Sequence, residues 1–324
     1  MWKNLDPTST RSIPEQVQVT ENERRLRELY SLIKNKRKKS ELYNKHDTSK
    51  RKLLRSGKIK LRALRREFGE EKYPRQEPQT LENTRVPDET IVDKDDLEVK
   101  RDFETDELST YFKGDFPPKV LITTRYKCSK NSYRFARELQ NCIPNSVAMP
   151  RRVLRLKKII KELIELKFTC LIVLNEDRNI PNGILFTHLP SGPTAYFKLS
   201  SLRRGQSIKH HGRSTPHYPE LILNNFTTRI GHTIGRIFAA IFPQKPDFTG
   251  RQAVTFHTQR DYIFFRRHRY IFRNKKKVSL QELGPRFTLR LQWIQKGTFD
   301  TKYGEYLWLY HRKTMGTNKR KFIL

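Results

Sequence analysis

The stretch FTCLIVLNE, residues 168–176, is a continuous apolar run that ends at an asparagine and a glutamate. A run of this kind predicts a strand that is covered on both faces of its sheet. The preceding residues 153–167, VLRLKKIIKELIELK, place leucines and isoleucines at helical spacing and predict an amphipathic helix. GILFTHL and TAYFKLS follow as two strand candidates around a turn at 190–193. This alternation predicts an α/β layer with a mixed sheet.

Both flanks of this region continue the alternation. Upstream, VLITT (120–124), SKNSYRFARELQNCI (129–143) and SVAM (146–149) predict a strand, a helix and a strand. Downstream, NNFTTRIGHTIGRIFAAIFP (224–243) predicts a helix that ends at its proline. The remaining strand candidates are AVTFHT, YIFFRRHRYIF, RFTLRLQWIQ and EYLWLYH. RFTLRLQWIQ alternates cleanly, and its apolar face is predicted to hold Phe287, Leu289, Leu291 and Trp293.

The charge of the chain is high and unevenly distributed. Lys and Arg number 67 against 34 Asp and Glu among 324 residues, a formal net charge of +33. Residues 116–324 hold 40 of the basic and 11 of the acidic side chains, so this part carries +29 (40 − 11). A surface this positive repels itself. We therefore expect a polyanionic partner, either nucleic acid or an anionic membrane, bound mainly by this part of the chain.

Residues 1–115 are predicted to form a charged extension. We expect basic helices over 21–68, where KNKRKK and KRKLLR are nuclear import signals, RNA contacts or solvated helical faces. Residues 69–115 are acidic and punctuated by prolines, which predicts a linker or a strip that folds on a partner. A basic tail is predicted at 313–324. The candidate import residues are Lys34, Lys36, Arg37, Lys38, Lys39, Lys50, Arg51 and Lys52.

The cysteines and the hydropathy indicate the kind of cellular compartment. Cys128, Cys142 and Cys170 are odd in number and show no C-x-x-C spacing, which favours small buried thiols in a reducing compartment over a zinc site. No apolar stretch approaches the roughly 18 residues of a spanning helix, and the N-terminus shows no signal-peptide core. We therefore expect a soluble, intracellular protein.

Sequence motifs for catalysis are missing. Neither G-x-G-x-x-G after a strand nor G-x-x-x-x-G-K-[ST] occurs. His210 and His211 lie among cations, which oppose a metal ion. Glu176 and Asp177 form an adjacent acidic pair at a strand end, where turn chemistry explains them. We predict no catalytic residue, metal, cofactor or small-molecule substrate, although a metal-free ribonuclease that uses His and Lys stays open.

Four segments together resemble the Brix domain, a family of eukaryotic ribosome-assembly factors. They are HLPSGPTAYFKLS, TRIGHTIGRIFAAIFP, FTGRQAVTFHTQRDYIFFRRHRYIF and ELGPRFTLRLQ, and their order and spacing match from about residue 118 to about 312. The resemblance implies a Brix domain over 116–312, built of two similar α/β halves at about 118–200 and 201–312. It also implies that each half resembles the anticodon-binding domain of class II aminoacyl-tRNA synthetases.

The resemblance implies a function as well. Brix proteins are non-catalytic, bind pre-rRNA in the nucleolus and commonly pair with a dedicated protein partner. The basic N-terminal helices, the acidic connector and the end YHRKTMGTNKRKFIL look most like a family member of the large (60S) subunit. The expected partners are therefore pre-rRNA, other assembly factors and the pre-60S particle. Two other classes stay open, namely an RNA-processing or RNA-modifying enzyme and a ribosomal protein proper.

RNA contact is implied for the family's most basic motif, here residues 224–272. We predict that 262–277 is one long strand, paired with AVTFHT across a turn at 259–261. Its apolar ends are expected to anchor it, while its basic middle and tail face RNA. Asp261 is expected to close the turn or to pair with Arg260. The predicted RNA-binding residues are Arg203, Arg204, Lys209, Arg213, Arg229, Arg236, Arg251, Arg260, Arg266, Arg267, Arg269, Arg273, Lys275, Lys276 and Lys277, because Lys and Arg neutralise phosphates.

Overall fold

The computed structural model describes two compact units, Met1–Gln79 and Thr80–Leu324. The described residues are 25–26, 28–75, 78–86, 90–93, 95–114, 117–274, 277–300, 302–315 and 320–324. None of the helices in this described part combines the length and the apolar character that crossing a bilayer requires.

The first unit is dominated by one long helix, α1 (Lys36–Phe68). Asn35 caps it, because its side-chain oxygen accepts hydrogen bonds from the backbone amides of Arg37 and Lys38 at 3.1 and 3.2 Å. The helix ends before Gly69, whose φ of 82° favours glycine. Within this described helix no side chain is buried, and 14 basic residues stand against three acidic ones. In the part of the first unit that the structure describes, the main feature is therefore an exposed, highly charged helix.

The second unit combines helices with one large sheet. Its helices are α2 (Leu97–Thr105), α3 (Ser109–Lys113), α4 (Lys130–Gln140), α5 (Leu156–Glu165), α6 (Arg229–Ala239) and α7 (Arg312–Met315), with a 3-10 turn at Gly205–Ser207. Its strands are β1 (Val120–Thr124), β2 (Ser146–Ala148), β3 (Cys170–Asp177), β4 (Ile180–His188), β5 (Thr194–Arg203), β6 (Glu220–Asn224), β7 (Gln252–Gln259), β8 (Tyr262–Asn274), β9 (Lys277–Glu282), β10 (Arg286–Gln295) and β11 (Tyr306–Leu309).

The sheet has the order β2-β1-β3-β4-β5-β10-β8-β7-β6, with β11 beside β10 and β9 beside β8. Across the described residues these eleven strands form a single sheet that mixes parallel and antiparallel pairs. The predicted α/β fold with a mixed sheet is confirmed. The predicted long strand is confirmed over Tyr262–Asn274, because β8 runs through the arginines and pairs with β7 along its first eight residues. Its predicted extension to Lys277 is wrong, since Lys277 begins β9, which pairs antiparallel with β8.

Connectivity repeats on the two sides of the sheet centre. In β1-α4-β2-α5-β3-β4-β5 and in β6-α6-β7-β8-β9-β10, β1 pairs with β3 and β6 with β7 in parallel across a helical connection. The strands β4 and β5, and likewise β8 and β10, then add antiparallel. The two series meet where β5 and β10 pair antiparallel. A division into halves near residue 200 stays a prediction, as does the resemblance of each half to an anticodon-binding domain.

The main core lies on the face of the sheet that carries α4 and α6. Phe238 of α6 stacks on Phe256 of β7, with ring centroids 4.2 Å apart, and Phe265 of β8 stacks on Phe287 of β10 at 4.3 Å. Pairs of this kind contribute about 0.5–1.5 kcal/mol beyond their buried area. A smaller cluster on the opposite face places α5 against β1, β3 and β4.

Trp293 lies on that opposite face, so its predicted place beside Leu291 is wrong. The β5–β10 register shifts between Leu291 and Trp293, and an irregularity of this kind moves the following side chains to the other side. Trp293 consequently stacks on Tyr196, with centroids 5.6 Å apart.

The acidic segment differs from the predicted linker. It contains α2 and α3, and Val99, Leu108 and Tyr111 are buried against the second unit. The physical reason is that Leu108 and Tyr111 join the main core, while carboxylates of the segment pair with arginines on α6. Residues 80–114, where described, therefore belong to the folded second unit.

The last residues of the chain are also packed rather than forming a solvated basic tail. Phe322 and Leu324 are buried, and the Asp261 carboxylate accepts hydrogen bonds from the backbone amides of Ile323 and Leu324 at 2.6 and 3.1 Å. The β7–β8 turn has φ of 52° at Arg260 and 63° at Asp261, as a two-residue hairpin turn requires. Asp261 therefore closes the turn as predicted and also fixes the chain end.

His188 provides a pH test of this packing. It is buried at the end of β4, and its Nε2 lies 3.1 Å from the carbonyl oxygen of Ile237 on α6. Burial lowers its pKa from 6.5 to about 4. The unfolded chain then binds the extra proton between these values, so the stability that neutral His188 contributes is complete above pH 6.5 and is lost as the pH falls to 4. We expect a loss of about 3 kcal/mol across this window.

The measurement is urea denaturation of the wild type and of His188→Gln between pH 4 and 7. Glutamine keeps a donor for the Ile237 carbonyl but does not titrate in this range. The free energy of unfolding of the variant should therefore fall by about 3 kcal/mol less than that of the wild type as the pH is lowered. If the free energy of unfolding changes with pH equally in the two proteins, His188 is not the buried titrating group.

Candidate nucleic-acid interface

The cations predicted to bind RNA separate into distinct groups in the structure. Arg229 and Arg236 lie on α6, and Arg267 is buried. Arg203, Arg204, Arg260 and Arg266 are scattered, and Lys275 and Lys276 lie outside the described residues. The other six lie on the loop after β5, just before β7 and on β8 and β9, where Arg269 is half-buried and the rest are exposed, namely Lys209, Arg213, Arg251, Arg269, Arg273 and Lys277.

The arginines of α6 are engaged by the acidic segment. The Arg236 guanidinium makes two hydrogen bonds to the Asp106 carboxylate, at 2.6 and 2.8 Å, and lies over the rings of Phe103 and Phe112, 4.4 and 4.6 Å from their centroids. Arg229 donates to Asp102 and Glu98 in the same way, at 2.8 and 3.2 Å. In the described structure α6 therefore presents these charges to its own chain.

The other six cations define what we call the loop–ribbon surface. It consists of the loop after β5, the start of β7 and the ribbon formed by β8 and β9. Two backbone hydrogen bonds hold these parts together, from Gly212 N to Glu282 O at 2.9 Å and from Tyr270 N to Arg251 O at 3.0 Å. The Gln281 side chain adds a third, from its Nε2 to His210 O at 3.4 Å.

Two glycines let the loop approach the ribbon so closely. A Cβ on Gly284, which has a φ of 69°, would lie 2.5 Å from the Cα of Gly205. A Cβ on Gly212 would lie 2.7 Å from a methyl carbon of Leu283. Any larger residue at these positions would push the loop away from β9, so the shape of the surface depends on glycine here.

Apolar and aromatic side chains accompany the cations on the ribbon. Phe272 is 65% exposed and stands opposite Val278, while half-buried Tyr270 stands opposite Leu280, which is 64% exposed. Because side chains alternate along a strand, Tyr270 and Phe272 lie on the face of the ribbon opposite to Arg269. Exposed rings on a basic ribbon suit bases that are unstacked from their helix. The sequence expectation that the aromatics of this strand are anchors therefore holds for Phe265, which is buried, but not for Phe272.

The carboxylates near this surface are already committed. Glu220 accepts a hydrogen bond from the Tyr270 hydroxyl, which raises the pKa of that phenol. Glu282 pairs with Arg286, whose Nε lies 2.8 Å from a carboxylate oxygen. The Asp247 carboxylate accepts hydrogen bonds from Thr249, which lower the pKa of the acid. In the described residues none of the six surface cations pairs with an acid, so the surface keeps its positive charge.

The scattered cations have local roles. Arg203 ends β5 and Arg204 begins the following loop. Arg260 lies in the β7–β8 turn, where its Nε is 3.2 Å from a Glu82 oxygen, rather than pairing with Asp261. Burial of Arg266 on β8 lowers its pKa, although the group stays charged.

Arg267 differs most from the sequence expectation. Its side chain is 2% exposed, because β8 turns Ile263, Phe265 and Arg267 toward the core and leaves the alternate positions outside. The alternation of apolar residues before it was a usable signal of this direction. In the basic middle of the strand, Arg267 therefore points toward the core, while its neighbours Arg266 and His268 point to the other side of the sheet.

The acidic pair at the end of β3 has a structural role. The Glu176 carboxylate accepts hydrogen bonds from the Ser129 amide and hydroxyl, at 3.0 and 2.8 Å, and from the Ser132 hydroxyl. Burial raises its pKa, but these hydrogen bonds outweigh burial and lower the pKa overall. Glu176 thus caps the first turn of α4. Among the described residues no group of three or more His, Cys, Asp or Glu side chains is arranged to hold a metal ion.

Comparison with known proteins places this chain. The Brix domain matches residues 125–293, which is more than half of the chain. The chain belongs to the Brix family. "Ribosome production factor 1" of Pongo abelii is 52% identical over 295 residues, covering 91% of this chain and 84% of the relative. The Saccharomyces cerevisiae protein of the same name is 44% identical over 284 residues, covering 86% and 92%.

A distant match exists among solved structures. The crystal structure of a probable ribosomal biogenesis protein from Aeropyrum pernix K1 aligns with a TM-score of 0.42 at 14% identity, covering 58% of this chain and all but 1% of that chain (99%). A similarity this remote carries no functional inference.

Within the Brix domain, the pairing of Arg236 predicts a stability effect. Its side chain is 17% exposed and that of Asp106 28%, so Arg236→Met should leave a partly buried carboxylate unpaired. We expect a loss of about 2–4 kcal/mol in the free energy of unfolding, measured by urea denaturation. The matched control is Arg229→Met on the same helix, where the side chain is 53% exposed and the change should stay within about 0.5 kcal/mol. Equal effects of the two variants would contradict the structural role given to Arg236.

Proposed function

We propose that this protein is a non-catalytic assembly factor that binds pre-rRNA during maturation of the large (60S) ribosomal subunit in the nucleolus. The observation that carries the proposal is the loop–ribbon surface, whose six cations have no acidic partners and whose ribbon also carries exposed apolar and aromatic side chains. The names of the relatives support the ribosomal role, since they are called ribosome production factors.

The chemistry of the surface suits RNA. Lys and Arg that neutralise phosphates release counterions, so binding should weaken steeply with salt. The ribbon carries its cations on a stiff two-stranded support, and rings such as Phe272 offer faces to unpaired bases. A protein that reads backbone and shape in this way needs no catalytic group.

The helix α1 supports two further parts of the proposal. Its cations include the candidate import residues, all of which are exposed in or just before the helix. Leu53 and Leu54 are 72% and 58% exposed, and Ile59 is 58% exposed. Apolar side chains that the helix cannot bury by itself suit a dedicated protein partner or the pre-60S particle, while the surrounding cations suit a nuclear import signal.

A matched pair of triple variants tests the RNA surface. Replacing Arg251, Arg269 and Arg273 by Gln removes three cations from the loop–ribbon surface. Binding of a fluorescein-labelled RNA hairpin with single-stranded flanks, followed by anisotropy, should weaken about tenfold or more, and the slope of log K against log salt should fall by about 2–3. The control replaces three exposed cations around α5, Arg155, Lys158 and Lys161, by Gln and should change both quantities far less.

Cell fractionation tests the assembly role. A tagged copy should sediment with large-subunit precursors and leave them before translation, and its depletion should reduce mature large subunits. Persistence on translating ribosomes would instead identify a ribosomal protein. Cleavage or modification of pre-rRNA by the purified protein would identify an enzyme.

In the RNA-binding experiment, equal affinities of the two triple variants would show that the loop–ribbon surface does not bind RNA.

A further inference from the structure

The buried Arg267 lacks a counter-charge in the described structure. Its Nη2 donates to the side-chain oxygens of Gln252 and Ser214 at 2.6 and 2.7 Å, and its Nη1 lies 3.5 Å from the Cys142 sulfur. Its Nε is buried without a hydrogen-bond partner. No carboxylate of the described residues pairs with it. Glu138, four residues before Cys142, instead accepts a hydrogen bond from the Gly205 amide at 3.1 Å.

An arrangement of this kind is costly. A guanidinium stays charged in proteins, and taking such an ion out of water costs several kcal/mol unless an opposite charge compensates it. Burial raises the pKa of the Cys142 thiol, so the sulfur stays neutral. The C-terminus of α4 offers its carbonyl dipoles nearby, but a helix end supplies only about half an elementary charge. Part of the positive charge is therefore left for another anion.

Arg267 lines a cavity of about 440 Å³ whose other walls combine polar side chains with Ile143 and three prolines. Asn141 and Ser146 lie on one side, and Ser214, Thr215 and His217 on the other, so hydroxyl, amide and imidazole groups converge on the same space. Asn141 and Ser214 are exposed, which means that the cavity opens to solvent. The chemistry of these walls matches a tetrahedral oxyanion better than an apolar ligand.

The cavity adjoins the loop–ribbon surface. Its wall from Ser214 to His217 continues directly from Arg213, and Gly250, next to Arg251, packs so closely on His217 that a Cβ would lie 2.3 Å from the His217 Cβ. Gln252, which holds Arg267, stands opposite Arg269 in the β7–β8 register. An RNA strand on the surface cations would pass the mouth of the cavity.

We propose that this cavity holds one backbone phosphate of the bound RNA, with Arg267 as its buried cation. The inference rests on the proposed RNA-binding function and adds a defined phosphate site to it. A phosphate is favoured over a protein carboxylate because the neighbouring surface carries six cations, which suit a polyanion, and because the cavity has room for a phosphate with its attached ribose.

The test blocks the cavity without touching the arginine. Pro216 lies at the mouth and is exposed, so Pro216→Trp should fill the opening and leave Arg267 with its partners. The control is Pro150→Trp, the same substitution at an exposed proline outside the cavity. The labelled RNA hairpin should bind Pro216→Trp about fivefold to tenfold more weakly, and the slope of log K against log salt should fall by about 0.7–0.9, as expected for one lost phosphate. Pro150→Trp should match the wild type.

Inorganic phosphate provides a second measurement. It should raise the melting temperature of the wild type and of Pro150→Trp more than chloride does at the same ionic strength, but not that of Pro216→Trp. If the wild type binds RNA and Pro216→Trp binds it with the same affinity and slope, the phosphate site is wrong and the loop–ribbon surface stands. A wild type that binds no RNA would remove the proposed function itself. A poly-glutamate peptide is the last probe. If it competes with inorganic phosphate for the wild type while Pro216→Trp leaves RNA binding unchanged, the cavity binds a protein carboxylate and the inference is overturned.

Discussion

The antiparallel pairing of β5 with β10 is the constraint on which the rest of the second unit depends. It joins the two repeated strand series into one sheet, and it sets Arg203 at the end of β5 opposite Arg286 at the start of β10. The loop that leaves β5 and the turn that enters β10 consequently emerge at the same place. The contact of Gly205 with Gly284 follows from this, and so does the meeting of the loop with the ribbon.

This pairing has an electrostatic cost that the structure offsets locally. Like charges directly opposite in a sheet repel, and Arg203 and Arg286 form such a pair. Glu282 lies beside them and binds Arg286 through both of its oxygens, which removes part of the repulsion. The same principle operates on α6, where carboxylates of the acidic segment neutralise Arg229 and Arg236. The cations of the loop–ribbon surface, in contrast, have no acidic partner among the described residues.

The sequence was informative where periodicity is local. The apolar run at 168–176 and the alternation at 286–295 each predicted their strands, and the turn at 259–261 could be placed because a long strand lacks turn residues at its arginines. The total charge also pointed to a polyanionic partner, but it could not separate the cations by their surroundings. Asp106 and Arg236 are 130 residues apart, and no count of charges along the chain reveals that they meet.

The remaining errors have the same origin in tertiary structure. The acidic segment was too poor in apolar residues to predict folding, yet Leu108 and Tyr111 join the main core, which is built mostly by the rest of the second unit, and Val99 is also buried. Trp293 changed faces through a register shift that leaves no signature in the alternation. Arg267 was partly predictable, since it continues the inward positions of Ile263 and Phe265, but its cavity is formed by α4 and the loop and appears only in the folded chain.

Ultraviolet crosslinking in cells, followed by mass spectrometry of the crosslinked peptides, tests the central claim most directly. The loop–ribbon surface predicts RNA crosslinks in residues 205–219 and 269–282, with α6 free of them because the acidic segment engages its arginines. Crosslinks concentrated on α6, with none in the loop or the ribbon, would contradict the account.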